Sequence, residues 1–194
     1  MGIGGWNNLN ASDTIGFPRF TLGSTPLTGD VTPYDYLEYA CANSPAGETQ
    51  KLVQFPITKN VQNLTSQNVT VSIWARFNGG TGTLLLQWRQ FFGDGGSPSA
   101  DAITPIQTFN LSNSWQKFVI NTTVPSVTGM NLGSCGNDAL FLQVQFPLGV
   151  ITNIDFTKPC VYLGNLSPAA DYHTYDMIDG IVNAPRTGYV FGSY

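Results

Sequence analysis

Residues 86–99 read LQWRQFFGDGGSPS. The first half alternates apolar and polar side chains, and the second half is Gly, Asp, Pro and Ser. A strand needs side chains that pack on a pleated surface, whereas Gly and Pro supply turns. The stretch predicts a strand over 86–92 and a long surface loop over 93–99. Loops carried on a rigid sheet are where binding groups are commonly presented.

The same alternation recurs outward from this stretch. In 68–77, NVTVSIWARF, one face carries Val69, Val71, Ile73 and Ala75, and the other Thr70, Ser72, Trp74 and Arg76. In 139–146, Leu140, Leu142, Val144 and Phe146 oppose Gln143 and Gln145. Further strands are expected at 51–57, 83–92, 108–111, 115–124 and 154–163, with 33–40 (PYDYLEYA) another candidate. Trp88 shares its parity with Leu84 and Leu86, which points it into a core. Strands closed by Gly/Pro turns, with no helical period and no repeat, predict an all-β fold: a two-sheet antiparallel jelly-roll sandwich. The sandwich is expected over 1–164, with an irregular lead-in before about residue 50. Residues 165–194 form a tail whose Tyr172, Tyr175, Tyr189, Phe191 and Tyr194 need a surface on the sandwich or on neighbouring subunits.

Composition narrows the function. Only 10% of the 194 residues are charged while 42% are hydrophobic, so the chain has a core but not the charged faces of surface helices. A net charge of −4 without a Lys/Arg cluster excludes phosphate-backbone binding, so no nucleic-acid partner is expected. No apolar run approaches the ~20 residues that span a bilayer, so no membrane insertion is expected. The opening MGIGGW has neither a basic nor an apolar leader region, and no signal peptide is expected. The six N-x-S/T triplets, at Asn10, Asn63, Asn68, Asn110, Asn121 and Asn165, follow from a composition rich in Asn, Ser and Thr. Cys41, Cys135 and Cys160 lack metal-type spacing and read as buried or partly buried thiols, with one disulfide as the alternative.

Several motifs, in order along about 69–164, resemble the carbohydrate-binding-module-like jelly-roll domain of bacteriophage and prophage tail proteins. They are Ser72-Ile73-Trp74-Ala75, the run from Gln87 through Arg89 and Gly93 to Ser99, Ser114-Trp115-Gln116-Lys117, Pro125-Ser126-Val127-Thr128-Gly129 and the Leu132 to Asp138 loop. The closing strand of that family has its counterpart in 156–164. Phe92, where Asn is usual, and Cys135 depart from the pattern. The resemblance implies a virion tail or extracellular fibre surface, attachment to a cell-surface glycan, and a homotrimer, since cyclic closure suits a fibre axis.

The residues speak against catalysis. His173 is the single histidine and lies in the tail, and Glu38 and Glu48 are the only glutamates. Neither a nucleophile–base pair nor a glycosidase acid/base pair is apparent. No catalytic or metal site is therefore expected, and no cofactor beyond a structural calcium ion in the loops. Binding chemistry is better represented. Aromatic rings stack on the C–H faces of sugars, and Arg, Lys and Gln bond to hydroxyls. The alternation assigns Trp74, Arg76, Gln87, Arg89, Lys117, Gln143 and Gln145 to a polar sheet face expected to bind a glycan. The alternative location is the loop edge, with Asp94, Asn137 and Asp138 holding hydroxyls or calcium. The alternative function is a structural or assembly domain of a fibre without sugar binding.

Overall fold

The computed structural model describes residues 7–8, 14–30, 32, 35–41 and 50–166. Ten strands form two antiparallel sheets: β1 (Asn7–Asn8), β2 (Thr14–Gly16), β3 (Leu37–Cys41), β4 (Leu52–Lys59), β5 (Asn68–Phe77), β6 (Gly82–Phe91), β7 (Ala102–Leu111), β8 (Gln116–Thr123), β9 (Ala139–Gln145) and β10 (Thr152–Leu163). One sheet has the order β1-β4-β9-β6-β7 and the other β2-β3-β10-β5-β8. Each consists of four strands and a very short edge strand, and no helix occurs among the described residues. This is the expected two-sheet jelly roll. The tail beyond 166, including His173 and the tail aromatics, lies outside the described residues, as does Glu48.

The inward faces carry the predicted apolar sets. Val53, Phe55, Leu84, Leu86, Leu140, Leu142 and Val144 come from one sheet, and Tyr39, Val69, Val71, Ile73, Ala75, Ile154 and Phe156 from the other. Trp88 is 1% exposed within this layer, as its parity requires. Burying each large apolar side chain contributes roughly 1.5–3 kcal/mol, and that burial fixes the register, because a one-residue slip would turn the whole set outward.

Prolines explain where the sequence reading falls short. The alternation shows only 108–111 of β7, yet the strand runs from Ala102 to Leu111 through Pro105. β7 is outermost in its sheet, where a missing N–H costs little, and the register shifts opposite Pro105, between Leu86 and Gln87. Another shift follows Pro56 in β4. The third falls between Thr157 and Cys160 of β10, where Lys158 has a φ of 50°. The lead-in supplies β3, over the candidate strand at 33–40, and also two short strands that were not expected, β1 and β2. Of the three cysteines, Cys41 and Cys160 are buried, as expected, whereas Cys135 is exposed.

The β10 bulge has a structural purpose. It directs Lys158 Nζ to Asp30 Oδ1 at 2.6 Å. Asp30 Oδ2 accepts from Trp74 Nε1 at 3.0 Å and lies 3.4 Å from Lys117 Nζ. Burial pushes the Asp30 carboxyl up, but the bonds from Lys158 and Trp74 and the charges of Lys158 and Lys117 outweigh it and hold the value low. A second buried carboxylate, Asp155, is bonded by Arg76 Nε at 2.7 Å, and here burial prevails, raising its value. The Arg76 guanidinium lies over Trp115 and Tyr36, which pack with Phe20. Through these contacts Phe20, Asp30 and Tyr36 are fastened to the outer face of β5, β8 and β10.

Asp30→Asn is expected to destabilise the protein by on the order of 3 kcal/mol at neutral pH. A carboxyl held low contributes stability above the ordinary carboxylate range and loses it as the pH falls through its folded value. The gap between parent and variant should therefore close in acid. Thermal melts from neutral pH down to about pH 2 check this; a gap that does not change with pH would defeat it.

Candidate functional site

The sequence-predicted face divides between the two sheets. Trp74, Arg76 and Lys117 lie on the outer face of the β5/β8 sheet, with Trp74 and Lys117 in register, whereas Gln87, Arg89, Gln143 and Gln145 lie on the outer face of the β6/β9 sheet. Alternation tells which side of its own strand a residue faces but not which sheet the strand joins, so the seven residues cannot form a single site. Trp74 is only 4% exposed and its N–H is bonded to Asp30, which leaves no ring face to stack on a sugar. Arg76 is committed to Asp155, and Lys117 lies beside Asp30. Those three hold the fold.

The other face is organised in rows across the strands. Register places Gln54, Gln143 and Gln87 side by side on β4, β9 and β6. Gln87 Nε2 donates to Gln143 Oε1 at 2.8 Å, and Gln143 Nε2 donates to Gln54 Oε1 at 3.2 Å. Arg89 Nη1 also donates to Gln54 Oε1, at 2.9 Å, and Arg89 Nε donates to Asp101 Oδ2 at 2.8 Å. The result is one hydrogen-bonded chain from Gln87 to Asp101. Its three glutamines are nearly enclosed, at 4%, 5% and 2% exposure for Gln54, Gln87 and Gln143, so their geometry is locked before any ligand arrives. The chain uses Gln87 Nε2 and Gln54 Oε1, leaving Gln87 Oε1 as an acceptor and Gln54 Nε2 as a donor for another partner. They lie two strand spacings apart, roughly 10 Å.

The next row is Pro56, Phe141, Arg89 and Ile103. The Arg89 guanidinium sits 5.2 Å from the Phe141 ring centre and 5.4 Å from that of Phe91. Both rings are half-buried, Pro56 and Ile103 are exposed, and Gln145 is half-buried one row to the other side. The face thus combines a fixed line of amides with partly accessible rings. Gln54, Phe141 and Asp101 were not among the predicted site residues. The parity of Phe141 with Gln143 and Gln145 could have found it; Gln54 stands alone in an apolar strand, and Asp101 joins only through the turn of the chain into β7.

The loop edge is a clasp. Asp94 N–H donates to Asn137 Oδ1 at 2.9 Å, and Asn137 Nδ2 returns a bond to Asp94 Oδ2 at 2.7 Å. Main-chain bonds run from Gly133 to Phe92, from Ser134 to Gly95 and from Cys135 to Asp94. Asp138 Oδ2 accepts the Val61 N–H at 2.8 Å. All three loop residues are engaged in closing the fold, and no group of three or more His, Cys, Asp or Glu side chains among the described residues could hold a metal.

No family model and no curated protein matches the sequence. Solved structures do resemble the fold. The CBM22-2 xylan-binding domain of Paenibacillus barcinonensis Xyn10C aligns with a TM-score of 0.58 at 14% identity, over 84% of this chain and 94% of that one. The C-terminal family 22 carbohydrate binding module of Clostridium thermocellum Xyn10B gives a TM-score of 0.54 at 12% identity, over 84% of this chain and 87% of that one. A further xylan-binding domain from CBM 22 gives 0.53 at 12% identity, over 86% and 91%. At these identities the likeness is one of fold: the chain has a carbohydrate-binding-module-like jelly roll. The tail-protein half of the resemblance rests on the sequence motifs alone.

The clasp yields a test. A Cβ on Gly133 would lie 2.4 Å from the Asp94 carbonyl oxygen and 2.7 Å from its nitrogen, both main-chain atoms that cannot swing aside. Gly133→Ala should lower stability by about 2 kcal/mol, or roughly 4–8 °C in melting temperature. An unchanged melt would show that the two loops do not close as described.

Proposed function

We propose that the outer face of the β1-β4-β9-β6-β7 sheet binds a glycan, and that the domain acts by recognition rather than catalysis. The observation that carries this reading is the hydrogen-bonded line Gln87–Gln143–Gln54–Arg89–Asp101 set beside the Phe91 and Phe141 rings. Sugar hydroxyls both donate and accept, which suits an acceptor and a donor held on one line. Sugar C–H faces suit the adjacent rings. The resemblance in fold to domains described as xylan-binding supports the same reading. The opposite sheet face is the weaker candidate, because its Trp74 is already bonded to Asp30 and its Arg76 to Asp155.

The setting we infer is attachment of a viral or phage-derived fibre to a cell-surface glycan, as a homotrimer. Support for it is the ordered motif series from Ser72 to 164. Light scattering on the purified protein should give three times the monomer mass; a monomer at micromolar concentration would count against the trimer.

The site itself is tested on a glycan array. Arg89→Ala, Gln143→Ala and Phe141→Ala should each weaken binding roughly 2- to 150-fold, the loss of one contact of about 0.5–3 kcal/mol. Lys117→Ala, on the opposite sheet, should bind as the parent does. Circular dichroism melts of every variant separate lost binding from lost folding. Affinity that falls with Lys117→Ala and survives the other three would move the site to the opposite face, and silence of the parent across the array would favour a structural fibre domain.

A further inference from the structure

The face with the glutamine line also indicates which glycans it accepts, an inference that rests on the glycan-binding reading above. We propose that Asp101 is a specificity-determining residue that restricts this face to uncharged sugars and excludes those bearing a carboxylate, such as uronic or sialic acids. Arginine recognises a carboxylate through a pair of parallel N–H groups along one edge of its guanidinium. In Arg89 the Nε–Nη2 edge is taken. Asp101 Oδ2 accepts from Nε at 2.8 Å and lies 2.7 Å from Nη2. The remaining nitrogen, Nη1, donates to Gln54 Oε1 at 2.9 Å. All three nitrogens are engaged, and the cation already has its counter-charge.

A sugar carboxylate would find the Nε–Nη2 edge occupied and would meet Asp101 as a like charge beside a cation that is already neutralised. A neutral sugar meets no such opposition, since the amides and rings need no charge on it. Little else on this face would draw an anion. Arg89 and Lys59 are the only charged residues in β4, β6, β7 and β9. Lys59 is the last residue of β4, in register with Ala139 at the loop end and beyond the Phe141–Arg89 row. Asp94, at that same end, adds a negative charge. Asp101 is about one-third exposed, so replacing it removes no core packing.

The experiment uses paired probes: sialylated oligosaccharides with their desialylated counterparts, and oligouronates with their carboxyl-reduced forms. The parent should bind only neutral members. Asp101→Ala, which vacates the Arg89 edge, and Asp101→Asn, which keeps the shape but not the charge, should raise the charged-to-neutral affinity ratio about tenfold or more. That gain should shrink with added salt. A parent that prefers the charged member of a pair overturns the proposal, and so does a ratio unmoved in both variants. Both results leave glycan binding itself intact. A parent that binds no member of either pair defeats the glycan reading, and this inference with it.

Discussion

The Asp30 carboxylate decides which outer face of this sandwich the protein covers with its own side chains. It accepts hydrogen bonds from Lys158 and Trp74 and lies near Lys117, joining β5, β8 and β10 through one side chain. Its segment packs Phe20 and Tyr36 against Trp115 and over Arg76. A carboxylate taken out of water is costly, and only several good partners offset the loss of hydration. Once those partners are in place, the outer face of one sheet is filled with the protein's own groups. Trp74, Arg76 and Lys117, which the sequence offers as binding groups, are thereby turned to architecture.

The opposite face solves a different problem with neutral groups. Amides buried side by side carry no ionic desolvation cost, but each needs a partner, and a half-satisfied row would be worse than an apolar one. The line runs in one direction: Gln87 donates to Gln143, Gln143 donates to Gln54, and Gln54 Oε1 also accepts from Arg89. Asp101 terminates the line with a charge that matches Arg89. Side chains locked in this way lose little freedom when a ligand docks, which is where polyhydroxylated ligands often lose affinity.

The fold was largely legible and the site only partly so. Alternation in NVTVSIWARF and ALFLQVQ located β5 and β9 and named their inward residues, because burial on one face leaves a period of two in the chain. The same period is silent about sheet membership, and so Trp74 and Gln143 seemed to share a face that the topology denies them. Pro105 concealed most of β7, since a residue without an N–H reads as a strand breaker unless the strand is known to lie at an edge. Asp30 lies in a stretch with no period at all, and its three-way role depends on a bulge at Lys158 that the surrounding alternation does not announce.

Pro105 has a consequence for how many copies of this domain can coexist. An outermost strand offers a row of unpaired peptide groups on which another chain can stack, and ten residues is long for such a row. The proline deletes a donor near its middle, and the accompanying register shift breaks the even spacing that stacking requires. Sheet-to-sheet growth would stall there. Copies of this domain crowded together would then resist zipping into fibrils along their sides.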